Sequence, residues 1–204
     1  MRHRRRGRKL GRAPSHQRAL QRALATALFL TERDAEYDEN KPKVKGRIIT
    51  TIAKAKEVRP LVEKCITIAR KGLLAEDAAR RQHGTTADRG SDAWKTWRQS
   101  DKWGRWNQAI SPSVAARRRC LQLLGDKQAV FVLFDAVAPR FTDRPGGYTR
   151  ILRLAKPRLG DAGTRAILEF VGVRDRVIER SVRPTFEGEA PSAPAAGKKK
   201  AAKV

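Results

Sequence analysis

The chain has 204 residues, with 46 Lys or Arg against 21 Asp or Glu, a formal charge of +25 and a pI near 11.3. The length suits one domain with attachments, and 40% hydrophobic residues allow a modest core. No apolar run approaches the roughly 18–20 residues of a membrane span. The opening arginines are followed by no apolar segment of a secretory signal. Cys65 and Cys120 stand alone, which fits a reducing compartment and argues against a disulfide framework or structural zinc. The expected partner is a polyanion.

Residues 1–14 form a basic arm. Arg2, His3, Arg4, Arg5, Arg6, Arg8, Lys9 and Arg12 precede any acid and sit among Gly7 and Gly11. Such a segment buries too little apolar surface to offset its ordering entropy, and orders only against phosphates. An import peptide or a solubilising arm is the other reading. The charge excess continues into the body, which favours nucleic acid.

Pro14-Ser15 starts a helix that Ser15 is placed to cap, with His16 in its first turn. Leu20, Ala23, Leu24, Ala27 and Leu28 mark its inner face, while Arg18 and Arg22 pair at i, i+4 on a basic one. Residues 31–46 are an acidic loop insertion. Counted from Asp34 as a calcium loop, they place Glu39 at the glycine position and Lys45 at the bidentate glutamate position, so a solvated loop is expected. Ile48 to Thr51 reads as a strand. Val58 to Ala69 has helical spacing to about Lys71, with a kink or split at Pro60 and a stop at Gly72. Cys65 falls on its apolar face as a structural thiol.

Residues 75–116 look like a second insertion, rich in loop residues and holding all four tryptophans: Trp94, Trp97, Trp103 and Trp106. Lys95, Arg98, Lys102 and Arg105 interleave with them. The rings either stack on unpaired bases or pack on protein, and the segment leaves both open. A short helix runs from Arg117 to Gly125. Asp126 caps another over 127–138, with Val130, Phe131, Phe134 and Val137 as its stripe and Pro139 as its end. Tyr148–Leu154 and Arg165–Val171 read as strands of an antiparallel pair. Residues 184–204 are expected from composition to be a disordered Pro/Ala/Lys tail.

No catalytic constellation, metal-ligand spacing or cofactor loop is present in the sequence, so no enzyme, metal or cofactor is expected. An RNA-processing enzyme would need converging acids. A basic chromosomal or regulatory DNA-binding protein remains the alternative, though such a protein more often shows helix-turn-helix dimer logic.

Three blocks are specific. Met1-Arg2-His3-Arg4, Gly7-Arg8-Lys9-Leu10 and Ser15-His16-Gln17-Arg18 come first, then Ile49 to Arg59 with its Thr-Thr and Lys-Ala-Lys-Glu strings. Leu133-Phe134, Pro139-Arg140-Phe141 and Arg144 to Leu152 follow. In order and content they resemble the bacterial large-subunit ribosomal protein seventeen family. The resemblance implies a two-layer α/β (α+β) domain over 15–183, with about four helices on a small mixed three-stranded sheet. It implies a structural role on large-subunit ribosomal RNA near the peptide-exit side, at one copy per ribosome beside neighbouring ribosomal proteins, with no membrane or small-molecule partner. The insertions 31–46 and 75–116 and the tail depart from the family pattern. Together with the chemistry, the resemblance gives the arm, Arg18 and Arg22, then Lys54 and Lys56 beside a helix N-terminus, as phosphate ligands. In the third block, Arg140, Arg144 and Arg150 are expected on phosphate. Gly146 and Gly147 either admit RNA or form an ordinary turn, and Tyr148 either stacks on a base or is a half-buried strand residue.

Overall fold

The computed structural model describes residues 7–172. Arg2, His3, Arg4, Arg5, Arg6, the tail and the end of the expected domain lie outside the described residues. Helix α1 spans Pro14–Leu30. Its N-cap is Ala13 with extended backbone and no side-chain cap, so Ser15 lies inside the first turn instead of capping it. Pro14 explains the shift, because its fixed φ and missing N–H suit the first helical position. The inner face is Ala25, Leu28 and Phe29; Leu20 and Leu24 are half-buried and Ala23 and Ala27 exposed.

Strand β1 (Arg47–Thr51) runs directly into α2, which extends from Ile52 to His83. Pro60 neither splits this helix nor ends it, and Gly72 is buried in its middle. Gly72 is there for close approach: a Cβ on it would lie 2.8 Å from the Cβ of Ala116. The expected stop at Lys71 is therefore corrected to His83. The 75–116 segment is largely helical, made of the end of α2, α3 (Asp92–Gln99) and the first two thirds of α4 (Asp101–Leu124). Helices α2 and α4 form an antiparallel hairpin. Cys65 meets Cys120, Gly72 meets Ala116, and Glu76 meets Ser113.

Gly125, at φ +79°, closes α4 in the left-handed conformation that favours glycine. Asp126 then caps α5 (Lys127–Val132) by accepting the Gln128 N–H at 2.9 Å. The chain continues through a wide π turn, Leu133–Val137, and a 3-10 turn, Ala138–Phe141, instead of one regular helix to residue 138. Val130, Phe134 and Val137 face inward, but Phe131 is 68% exposed and does not belong to the stripe.

Strands β2 (Thr149–Arg153) and β3 (Arg165–Phe170) complete a sheet in the order β1-β3-β2. Both pairings are antiparallel, which corrects the expectation of a mixed sheet. The register aligns Ile48, Leu168 and Ile151 in one row and Ile49, Ile167 and Leu152 in the next. Successive side chains alternate faces, so the first row packs into the core and the second faces outward. Five α-helices, one more than expected, stand among the described residues. They and the sheet share one core that includes Phe29, Ile66, Leu133, Phe141, Tyr148 and Phe170.

Candidate nucleic-acid interface

The described end of the arm folds against the N-terminal part of α2. Gly7 and Gly11 adopt positive φ, as does Leu10. The Arg8 carbonyl accepts a hydrogen bond from the Gln17 amide, and the Arg8 guanidinium lies 3.7 Å from Glu57. Lys9 is exposed, and Arg12 is half-buried with its Nε unpartnered among the described residues. Ser15, His16, Arg18 and Arg22 are exposed on α1, and Arg22 donates to the Gln122 carbonyl at 3.3 Å.

Lys54 and Lys56 serve different grooves. Two helical residues are separated by roughly 200° of rotation, so they point to opposite sides. Lys56 opens onto a groove of about 480 Å³ with Arg59, Thr149, Arg150 and Arg153. Lys54 lines another of about 310 Å³ with Thr50, Thr51, Arg158 and Arg165. The N-terminus of α2 lies between them, with Thr51 supplying no side-chain cap. Anion binding at such a terminus is favoured by its orphan N–H groups and positive dipole end. Of those N–H groups, that of Ile52 is already donated to the Thr164 carbonyl.

Arg59, Arg153, Arg158 and Arg165 are the residues that reasoning along the chain missed. Arg59 is ion-paired to Glu63 and Arg158 to Asp161, whose carboxyl is held well below its usual range by hydrogen bonds from Arg158 and the Gly163 N–H.

The third block is built differently from the expectation. Both Nη groups of Arg140 donate to the carboxylate of Glu32, at 2.9 and 2.7 Å, so its fork is held inside the protein. Arg150 donates to Glu169 at 2.5 Å while still lining the Lys56 groove. Arg144 donates to the Gly146 carbonyl, and its own carbonyl accepts from Arg70 at 2.6 Å. Gly146 and Gly147 are an exposed turn with open space around them, and Gly147 sits at φ +64°. Tyr148 is 1% exposed, its ring 5.1 Å from that of Phe141. It is a core residue, and its ring offers no face to a base.

The far end of the hairpin carries the tryptophans. All four are half-buried, and they line a cleft of about 330 Å³ that also includes Arg80 and Arg89. Below it, Glu76 accepts from Ser113 and Arg117, each at 2.8 Å. Burial opposes ionisation of Glu76, but these two hydrogen bonds, with the charges of Arg117 and Arg80, outweigh it and hold the carboxyl below its usual range. Cys65 and Cys120 are buried free thiols, and Cys120 donates to the Cys65 carbonyl at 3.7 Å. The hydrogen bond that the Cys65 thiol donates to Cys120, together with burial, pushes the Cys65 thiol up, away from nucleophilic range.

Helices laid on one side of a small antiparallel sheet, with cationic grooves at the junction and a basic arm, define a polyanion-binding protein of the α+β class. The chain belongs to the family described as ribosomal protein L17, whose model matches residues 20–171. It is 63% identical to the "Large ribosomal subunit protein bL17" of Rhodopirellula baltica over 196 residues, covering 96% of this chain and 93% of that one. It is 36% identical to the protein of the same name in Thermomicrobium roseum, covering 84% of this chain and 99% of the other. Against that of Syntrophotalea carbinolica the identity is 33%, over 84% and 75% respectively.

Proposed function

We propose that this chain is a structural constituent of the large ribosomal subunit, holding ribosomal RNA by its phosphates in the cytoplasmic ribosome. Family membership carries the reading, with the 63% identity to a large-subunit protein along nearly the whole chain. The role is structural and not enzymatic. The DNA-binding alternative has no support from this family.

The contacts are assigned from chemistry. The arm from Arg2 to Arg12 threads between RNA helices, and Arg18 and Arg22 grip phosphates at its root. Lys56 with Arg59 and Arg153, and Lys54 with Arg165, hold two further stretches of backbone on either side of the α2 N-terminus. Gly146 and Gly147 let RNA approach the Arg144 turn closely. Arg140 and Tyr148 act indirectly, by fixing the core under that turn. Such contacts position the protein and read little sequence, so affinity falls steeply with salt. One copy sits near the peptide-exit side, against neighbouring ribosomal proteins.

The test is sucrose-gradient sedimentation of a gentle lysate, then a high-salt wash and immunodetection. Retention in the large-subunit peak at one copy per particle is expected. Loss on washing, or migration at the top, would reduce the chain to a peripheral factor.

A further inference from the structure

The four tryptophans at the hairpin tip divide into two pairs with different work. Trp97 donates its indole N–H to the His83 carbonyl at 3.0 Å and meets Trp106 edge-on, with centroids 5.7 Å apart at 73°. That pair fastens α3 across the open end of α2 and α4. Trp94 and Trp103 instead face the guanidinium of Arg98, at 5.1 and 5.8 Å from its carbon. Arg98 thereby sets the spacing of two rings that flank a cleft of about 330 Å³. This lies at the small end of ligand pockets, which run from roughly 300 to 1,000 Å³.

The chemistry of the cleft selects its occupant. Its walls are flat indole rings, which suit a planar aromatic group. Its border holds Arg80 and Arg89, and residues 80–106 carry seven Lys or Arg against three Asp. Two of the seven are committed to carboxylates, Arg80 to Glu76 and Lys95 to Asp92. Arg81, Arg89, Lys102 and Arg105 remain exposed around the tip. A nucleotide joins a planar group to an anion, and its base is free to enter a cleft only where it is unpaired. A neighbouring protein would have to bring a planar side chain and a carboxylate together to meet the same walls and charge.

We propose that the tryptophan cleft captures one unpaired nucleotide of RNA, the base against Trp94 and Trp103 and the phosphate on Arg89. The inference rests on the reading that RNA is the partner, but on none of the phosphate ligands assigned to the arm or the grooves. Stacking on indole is tolerant of base identity, so the site recognises an unpaired base and not a sequence.

The test uses the full chain and two probes of equal charge, a hexaribonucleotide of adenosine and the same ribose-phosphate strand without bases. Binding is read by quenching of tryptophan fluorescence and by competition. The adenosine strand should bind about tenfold or more tightly than the abasic one. Trp103→Ala and Arg89→Ala should each shrink that ratio towards one, and Trp103→Phe should keep most of it. Arg89 lies in the exposed loop before α3, so its variant reports on the cleft even where Trp103→Ala loosens the hairpin. Deleting residues 2–12 should weaken both probes equally and leave the ratio unchanged, which separates this site from the arm. Equal affinity for the two probes overturns the proposal, as does a preference that survives both cleft variants. Either result assigns the rings to contact with protein.

Discussion

The guanidinium of Arg140 closes as a two-pronged fork on the carboxylate of Glu32, across 108 positions of sequence. The Glu32 side chain is 4% exposed, and it sits where the chain leaves α1. The pair therefore fastens the end of α1 to the 3-10 turn beneath the Arg144 loop. Gly46 completes the arrangement: its φ is +75°, and a Cβ there would come within 2.6 Å of the Glu32 carboxylate. This small cluster links three segments of the chain that hydrophobic spacing alone does not connect.

Arg140→Ala should destabilise the protein by about 3–5 kcal/mol, because it leaves a buried carboxylate unpaired. Arg140→Lys should recover part of that loss, keeping the charge but not the two parallel hydrogen bonds. Urea unfolding of the isolated chain measures both. A midpoint for Arg140→Ala equal to that of the parent would show that the pair is dispensable.

Gly72→Ala tests the contact between α2 and α4. Alanine should gain about 0.5–1 kcal/mol of helix propensity, but the new methyl would press on Ala116 at 2.8 Å. Overpacking costs about 1–3 kcal/mol, so net destabilisation is expected. The double variant Gly72→Ala with Ala116→Gly should recover some of it by making room. Thermal unfolding of the set decides the matter, and additive losses would contradict the contact.

These two sites show which parts of the structure could be read from the sequence. The strands over 48–51, 149–153 and 165–170 announce themselves through β-branched or alternating residues. The antiparallel pairing of the last two follows from their short Gly-containing connection. Gly72 reads as a helix stop in the sequence because glycine serves both as a stop and as a point of close approach. Only Ala116, on another helix, separates the two. The candidate interface divides in the same way. Lys54 and Lys56 are visible in their block, yet Arg153 joins Lys56 only once the strand is docked against α2. Tyr148 adjoins an exposed glycine turn in sequence, but the first residues after that turn drop into the core.

Because Tyr148 is buried with its hydroxyl unpartnered among the described residues, Tyr148→Phe should be neutral or stabilising by up to about 1–3 kcal/mol, the range for an unsatisfied buried group. RNA affinity should not change. Tighter packing with equal RNA binding is the outcome that fits a core role. A specific loss of RNA affinity with stability intact would return the ring to the interface.

In the Lys56 groove, Lys56→Ala and Arg153→Ala should each lower the magnitude of the salt slope for RNA binding. The expected change is about 0.7–0.9 per lost phosphate contact. Removing residues 2–12 should lower it further, since the arm and the groove are proposed to hold separate phosphates. Affinities measured over a series of potassium chloride concentrations give these slopes. An unchanged slope after arm removal would refute the arm's role.

Glu76 links the hairpin to acid stability. Hydrogen bonds from Ser113 and Arg117 hold its carboxyl below the ordinary value despite burial. A folded pKa below the unfolded one means that the folded state favours the ionised group. Its contribution is complete above the unfolded value and is lost as pH falls through the lower folded one. Glu76→Gln should therefore destabilise the protein near neutral pH, by about 1–3 kcal/mol for the charged hydrogen bonds removed. The gap from the parent should then close as pH drops below the ordinary carboxylate range. Urea midpoints of both proteins from neutral to acid pH supply the comparison. A gap that stays constant across the range would mean that the ionisation of Glu76 is not coupled to folding.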